Sequence, residues 1–206
     1  MNVVFDFGGV VFSWQPEHLV RTAFPHQAAT PAAARALAAA LFHHGDWQDF
    51  DRGTIAQGAV VERAAARLGL PPAALQALVS DIPQSLTPMA DTVDLLGRLR
   101  ARRELRGDVR LYFLSNMPQP YARVLERRHD FLQWFDGGLF SADVQLIKPQ
   151  PDIFGLLQSR YTLAPERTVF IDDLQANVDA ARVHGWHALH FESASQLEPL
   201  LAAHID

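Results

Sequence analysis

Residues 3–12 read VVFDFGGVVF: an apolar run broken by one carboxylate, Asp6, and then by two adjacent glycines, Gly8 and Gly9. A run this short, rich in β-branched and aromatic side chains, suits a strand buried on both faces, with the charge marking where the chain leaves the core. The same phrase returns along the chain. LYFL (residues 111–114) leads into Ser115 and Asn116, and VFI (169–171) leads into Asp172 and Asp173. VQLI (144–147) leads into Lys148, although the segment 139–148 reads either as a strand or as mostly loop. HALHF (187–191) is expected as a last short strand before a C-terminal helix.

Helical patterns separate these runs. MADTVDLLGRLRAR (89–102), QPYARVLERRHDFLQWF (119–135) and QANVDAARVHG (175–185) each place apolar residues at helical spacing. Strands alternating with helices imply an α/β fold, a three-layer, Rossmann-like parallel-sheet core. Open parallel sheets bind ligands at the carboxyl ends of their strands. Asp6, Ser115, Lys148 and the pair Asp172 and Asp173 are therefore expected at one edge.

One connection is far longer than a crossover needs. About a hundred residues separate the first two strands, where a dozen or more suffice. The intervening chain is alanine-rich and helical by pattern. ATPAAARALAAALF (29–42) offers Thr30 as N-cap and Pro31 as the first helical residue. TIAQGAVVERAAARLGL (54–70) gives a helix ending near Gly69, and PPAALQALVSD (71–81) a third. The expected organisation is a discontinuous core, residues 1–13 and 84–206, with an inserted α-helical cap at 14–83 standing over the strand ends as a lid.

Composition narrows the function. The 206 residues are 49% hydrophobic and 20% charged, ordinary for a soluble globular protein. A formal net charge of −5 gives no basic footprint for nucleic acid or anionic lipid. There is no cysteine, hence no disulfide, thiolate metal site or cysteine nucleophile. The apolar start lacks a basic leader and a small-residue cleavage site, and no run is long enough to span a membrane. A cytoplasmic protein, monomer or homodimer, is expected.

Of the 18 lysines and arginines only Lys148 is a lysine. Carboxylates gathered at one edge repel one another unless cations hold them together. Mg²⁺ suits that task, binding one or two carboxylates with waters and phosphate oxygens. The second cation would be Lys148, a compact ammonium on a slender stem that reaches between a carboxylate and a phosphoryl oxygen where a wider guanidinium fork would not. With Ser115 opposite, the set suits phosphoryl transfer: Asp6 attacks phosphorus while the cations and backbone N–H groups stabilise the equatorial oxygens.

VVFDFGGVVF, LYFLSN (111–116), LIKPQPDIF (146–154) and VFIDDLQANVDAA (169–181) resemble, in order, the four motifs of the haloacid dehalogenase superfamily. The insertion site matches its helical-cap branch, and the motifs resemble sugar-1-phosphate phosphatases and the phosphatase domain of soluble epoxide hydrolases. The resemblance implies Asp6 as nucleophile and metal ligand, the Gly8 carbonyl as a further ligand, and Asp173 as the main motif-four ligand with Asp172 and Asn177 in support. It implies phosphoryl binding by Ser115, with Gly9 and Asn116 beside it, and charge stabilisation by Lys148. The small partner would be a phosphorylated metabolite.

One position departs from the pattern. Phosphatases of the superfamily mostly carry a second aspartate, the general acid and base, where this chain has Gly8. Its absence matters least for an acidic leaving group, which favours a sugar 1-phosphate. It also admits a metal-free 2-haloacid dehalogenase, although the adjacent Asp172 and Asp173 argue for a metal. A non-catalytic binding protein on the same fold is the third reading.

Other signals are weaker. Asp6-Phe7-Gly8 matches a kinase magnesium motif without its companion loops. His184, His187 and His190 lack zinc-ligand spacing and read as surface or core residues. In HHGDWQDFDRG (43–53), His43, His44, Asp46, Trp47 and Arg52 either select substrate or form a polar loop between helices. There Arg52 would grip an anion or pair with Asp49 or Asp51, and Asp46 or a histidine would supply the missing acid.

Overall fold

The structure, a computed structural model, describes residues 1–205. Five strands form one sheet: β1 (Asn2–Phe5), β2 (Arg110–Ser115), β3 (Gly137–Phe140), β4 (Thr168–Asp172) and β5 (His187–His190). All pairings are parallel, in the order β3-β2-β1-β4-β5. The chain winds outward from β1 to one edge, then returns to the other side of β1. That reversal lies between β1 and β4, the crevice where such sheets bind ligands.

The apolar runs bury both faces, as a central parallel strand requires. Val3, Phe5, Leu111, Val169 and Ile171 face one core with Leu96 of α6 (Ala90–Arg106) and Leu197 of α11 (Ala194–Ile205). Val4, Tyr112, Leu114 and Phe170 face a second core with Phe154 of α9 (Pro151–Tyr161) and Val178 of α10 (Gln175–Val183). The remaining crossover helix is α7 (Gln119–Arg128). The expected helical run 119–135 breaks after it, at an extended His129 (φ −132°, ψ 96°), and continues as a 3₁₀ turn.

The third strand is not at VQLI. β3 is GGLF, and it leads into a single helical turn, α8 (Ser141–Val144), which Gln145 ends in the left-handed conformation (φ 57°). An extended run through 144–147 is thereby broken, and Lys148 reaches the sheet from a loop.

Five helices lie between β1 and α6: α1 (Pro16–Ala23), α2 (Pro31–Phe42), α3 (Gly45–Arg52), α4 (Gln57–Leu68) and α5 (Pro72–Ser85). The Thr30 hydroxyl caps α2, accepting from Ala33 N–H at 3.1 Å. Gly69 (φ 63°) ends α4, adopting a conformation that side-chain-bearing residues disfavour. HHGDWQDFDRG is mostly helix rather than loop: the His44 ring caps α3 and Gly53 (φ 77°) ends it. The chain leaves and re-enters the core as a stitched pair, Ser13 N–H donating to Thr87 O at 2.8 Å and Met89 N–H to Val11 O at 2.9 Å. The insertion also touches the core directly. Tyr121 O–H donates to Val79 O at 2.6 Å, and Arg128 reaches the carbonyls of Pro83 and Gln84.

Candidate active site

Register fixes the site. Phe5 pairs with Phe113 and with Ile171, so Asp6 leaves β1 level with Leu114 and Asp172. Its own N–H still bonds Ile171 O at 2.9 Å, so the sheet ladder fixes the Asp6 backbone. Ser115, buried, ends β2 one step further on.

Lys148 bridges the crevice. Its Nζ lies 2.9 Å from Asp6 Oδ1 and 2.7 Å from Asp172 Oδ2, with only 1% of its side chain exposed. It also stands 5.4 Å from the centre of the Phe170 ring, a cation–π distance. Burial alone would push the ammonium down, but Asp172 and Asp6 outweigh it and raise it above the ordinary lysine value. Lys148 is therefore a fixed positive charge. Asn116 holds its main chain from both sides, and so uses both ends of its amide on Lys148.

The two acidic neighbours differ. Asp172 is fully buried and saturated: it accepts from Lys148, from Leu174 N–H at 2.8 Å and from Asn177 Nδ2 at 3.0 Å on each oxygen. Asp173 is only half-buried, and burial with the neighbouring Asp172 charge raises it to about 6. The His190 ring meets the Asp173 carbonyl at 2.8 Å. Burial likewise raises Asp6 to about 7, against the pull of Lys148. Its Oδ1 takes Phe7 N–H at 2.7 Å as well as Lys148, and Oδ2 has no such partner among the described residues.

Asp6, Asp172 and Asp173 offer oxygens within 4.8 Å of one another. One ammonium cannot neutralise three carboxylates, and burial, with the neighbouring carboxylate charges adding to it, raises Asp6 and Asp173. Gly9 completes the cradle. A Cβ there would sit 2.3 Å from Asp173 Oδ2, and its φ of +75° disfavours side chains anyway. The residues present fit a hard dication.

Residues 1–185 match the haloacid dehalogenase-like hydrolase family. The chain belongs to that family. Its hydrolase relatives include the sesquiterpene phosphatase AstK of Aspergillus oryzae, 29% identical over 188 residues that span 91% of this chain and 87% of that protein. A haloacid dehalogenase family enzyme of Bacteroides thetaiotaomicron, solved with magnesium and inorganic phosphate, superposes with a TM-score of 0.70 at 19% identity, covering 96% of this chain and 98% of its own. The L-2-haloacid dehalogenase of Xanthobacter autotrophicus superposes at 0.67 with 19% identity, covering 100% and 84%. At these identities both superpositions speak for fold alone.

The insertion residues of this hydrolase sort by geometry. Trp47 is buried edge-to-face between Phe42 (4.7 Å) and Phe50 (5.6 Å), an anchor among the helices. Asp46 pairs with His44 at 3.0 Å and Arg63 at 3.3 Å, within the insertion itself. Arg52 pairs with Asp49 at 2.6 Å, so a substrate anion would compete with that carboxylate for it. His184 bonds Gln158, not a metal cluster. Two contacts escaped the sequence reading: the grip of His190 on Asp173, and the docking of Asp51 against Ser141. No described helix is long and apolar enough to cross a membrane.

Proposed function

We propose that the protein is a Mg²⁺-dependent phosphatase of a small phosphorylated metabolite, working in the cytoplasm through a phospho-aspartate on Asp6. The observation that carries this reading is Lys148, buried between Asp6 and Asp172, with a third carboxylate at hand and too little positive charge to balance the set.

In this reading Asp6, the Gly8 carbonyl and Asp173 hold the ion, with Asp172 in support through Lys148. Bound Mg²⁺ supplies a Lewis acid for phosphoryl oxygens. Asp6 attacks phosphorus, and its carboxylate is the reactive form, so the cations that favour ionisation also arm it. Lys148 and Ser115 steady the charge on the equatorial oxygens, with the backbone around Gly9. Asn116 acts by fixing Lys148, and Arg52 meets a substrate anion only by leaving Asp49. Residues 14–83 serve as the cap, closing the site from water.

Sugar 1-phosphates head the substrate panel, because the anomeric oxygen is a good leaving group for a site with Gly8. The terpenoid named for the Aspergillus relative puts prenyl-type monophosphates second. A dehalogenase would keep Asp172 and Asp173 side by side with no ion to offset them, which counts against it. Phosphate release from such a panel, with Mg²⁺ or EDTA, tests the reading. Release that needs Mg²⁺ supports it; chloride release from 2-chloropropionate without metal, and no phosphate release, would replace it.

A further inference from the structure

Nothing at residue 8 can protonate a departing oxygen, and packing does not forbid an acid there: a Cβ on Gly8 would meet no atom within 4 Å. The proton must come from elsewhere. Asp51, near the end of α3, is the carboxyl group the insertion brings to this edge. Ser141 Oγ donates to the Asp51 carbonyl and accepts from Met117 N–H at 2.8 Å, tying the end of α3 to the strand-end loops on both sides. Ser141 follows Phe140, the register partner of Ser115, so the clamp lies one residue beyond the phosphoryl-binding level. Gly53 (φ +77°) lets the chain press close: a Cβ there would be 2.8 Å from Ala142 O.

The Asp51 side chain has no hydrogen bond or ion pair among the described residues, while its neighbour Arg52 turns to Asp49. The charges acting on it are those of the site. Burial and the Asp6 carboxylate raise it well above the ordinary carboxylate range, with Lys148 opposing. Tyr121, which faces it from α7, has its own O–H committed to Val79 O and does not compete as donor. Asp51 is thus a half-buried carboxyl group at the site edge whose side chain the fold leaves uncommitted.

We propose that Asp51 is the general acid of the phosphoryl transfer, filling from the insertion the role that Gly8 leaves vacant. The proposal rests on the reading of Asp6 as nucleophile. As the Asp6 oxygen–phosphorus bond forms and the phosphorus–leaving-oxygen bond breaks, the Asp51 proton passes to the leaving oxygen and the alcohol departs. Asp51, now a carboxylate, takes a proton from the water whose oxygen attacks phosphorus. The Asp6–phosphorus bond breaks, inorganic phosphate leaves, and Asp51 is again protonated. With a donor in place, ordinary alkyl phosphates come within range, beyond esters with acidic leaving groups.

The test compares wild type and Asp51→Asn on two esters, following release of the leaving group in a single turnover so that only the first half-reaction counts. An alkyl phosphate needs the proton; p-nitrophenyl phosphate, whose phenolate leaves unaided, does not. Asp51→Asn is expected to slow alkyl release about 10²–10⁴-fold and p-nitrophenyl release by less than about tenfold. Asp51→Ala, with melting temperature as the folding control, is expected to show the same split. Equal loss on both esters, or no loss on either, overturns the assignment while the phosphatase reading stands. A folded wild type inert toward both overturns the two together.

Discussion

The side-chain amide of Asn116 holds the main chain of Lys148 in both directions: Nδ2 donates to the Lys148 carbonyl at 2.9 Å, and the Lys148 N–H donates to Oδ1 at 2.8 Å. A loop residue is thereby fixed to the end of a strand. Removing the amide in Asn116→Ala loses both bonds, and a part-buried N–H and C=O lose their partners. The expected cost is about 1–3 kcal/mol in urea unfolding. Because Asn116 acts through Lys148, kcat should fall by roughly tenfold or more with KM changed little.

Arginine is not expected to stand in for Lys148. The Lys148 side chain is 1% exposed and its single ammonium meets both Asp6 and Asp172, a contact that a wider planar fork does not reproduce. Lys148→Arg is expected to lower phosphate release by at least about 10²-fold, the scale of losing one charge-stabilising donor. Lys148→Met leaves two buried carboxylates facing each other and should destabilise the metal-free protein by about 3–5 kcal/mol. Full activity in Lys148→Arg would show that only charge, not shape, matters at this position.

Gly9 bears on the proposed metal site through Asp173. In Gly9→Ala the new methyl would lie 2.3 Å from Asp173 Oδ2, so the carboxylate must move, and the positive φ adds about 1–2 kcal/mol of strain. Calorimetric titration with Mg²⁺ should show at least tenfold weaker binding than wild type. Unchanged affinity would place the ion away from Asp173.

Metal-free stability should depend on pH with an unusual sign. Asp6 and Asp173 are raised in the folded state, to about 7 and about 6, above their unfolded value of 3.8. Between roughly pH 4 and 7 the folded chain therefore binds more protons than the unfolded one, and these groups lower its stability as pH rises. In EDTA, the melting temperature should be higher near pH 5 than near pH 8. Added Mg²⁺ should restore it at pH 8 and do little at pH 5, where protons occupy the ligands. A melting temperature unmoved by Mg²⁺ at pH 8 would count against the metal site.

Asp6, Ser115, Asp172 and Asp173 were readable because each ends a short buried apolar run, and parallel pairing then forces the ends together. Lys148 was readable as arriving at the same edge, while the sequence left open whether a strand or a loop delivers it. The true third strand is GGLF, and glycines have no side-chain pattern to read. Gly137 and Gly138 are required by what packs over them, since a Cβ on either would lie 2.3 Å from the ring of Tyr161 or Phe113. Helix α3 escaped notice because it is short and mostly polar, with only Trp47 and Phe50 buried. Its caps at His44 and Gly53 and its docking on α8 are what hold it. Asp51 was invisible for a related reason: the hydrogen bond that places it spans ninety residues of sequence.

The central claim is that Asp6 becomes covalently phosphorylated. Acid quenching during turnover with Mg²⁺ and a hydrolysed ester, followed by mass spectrometry of the peptide containing Asp6, tests it directly. A phosphoryl group on Asp6, absent in Asp6→Asn and in EDTA, is the expected result. Turnover that continues in Asp6→Asn, or a phosphoryl group found on another residue, would contradict it.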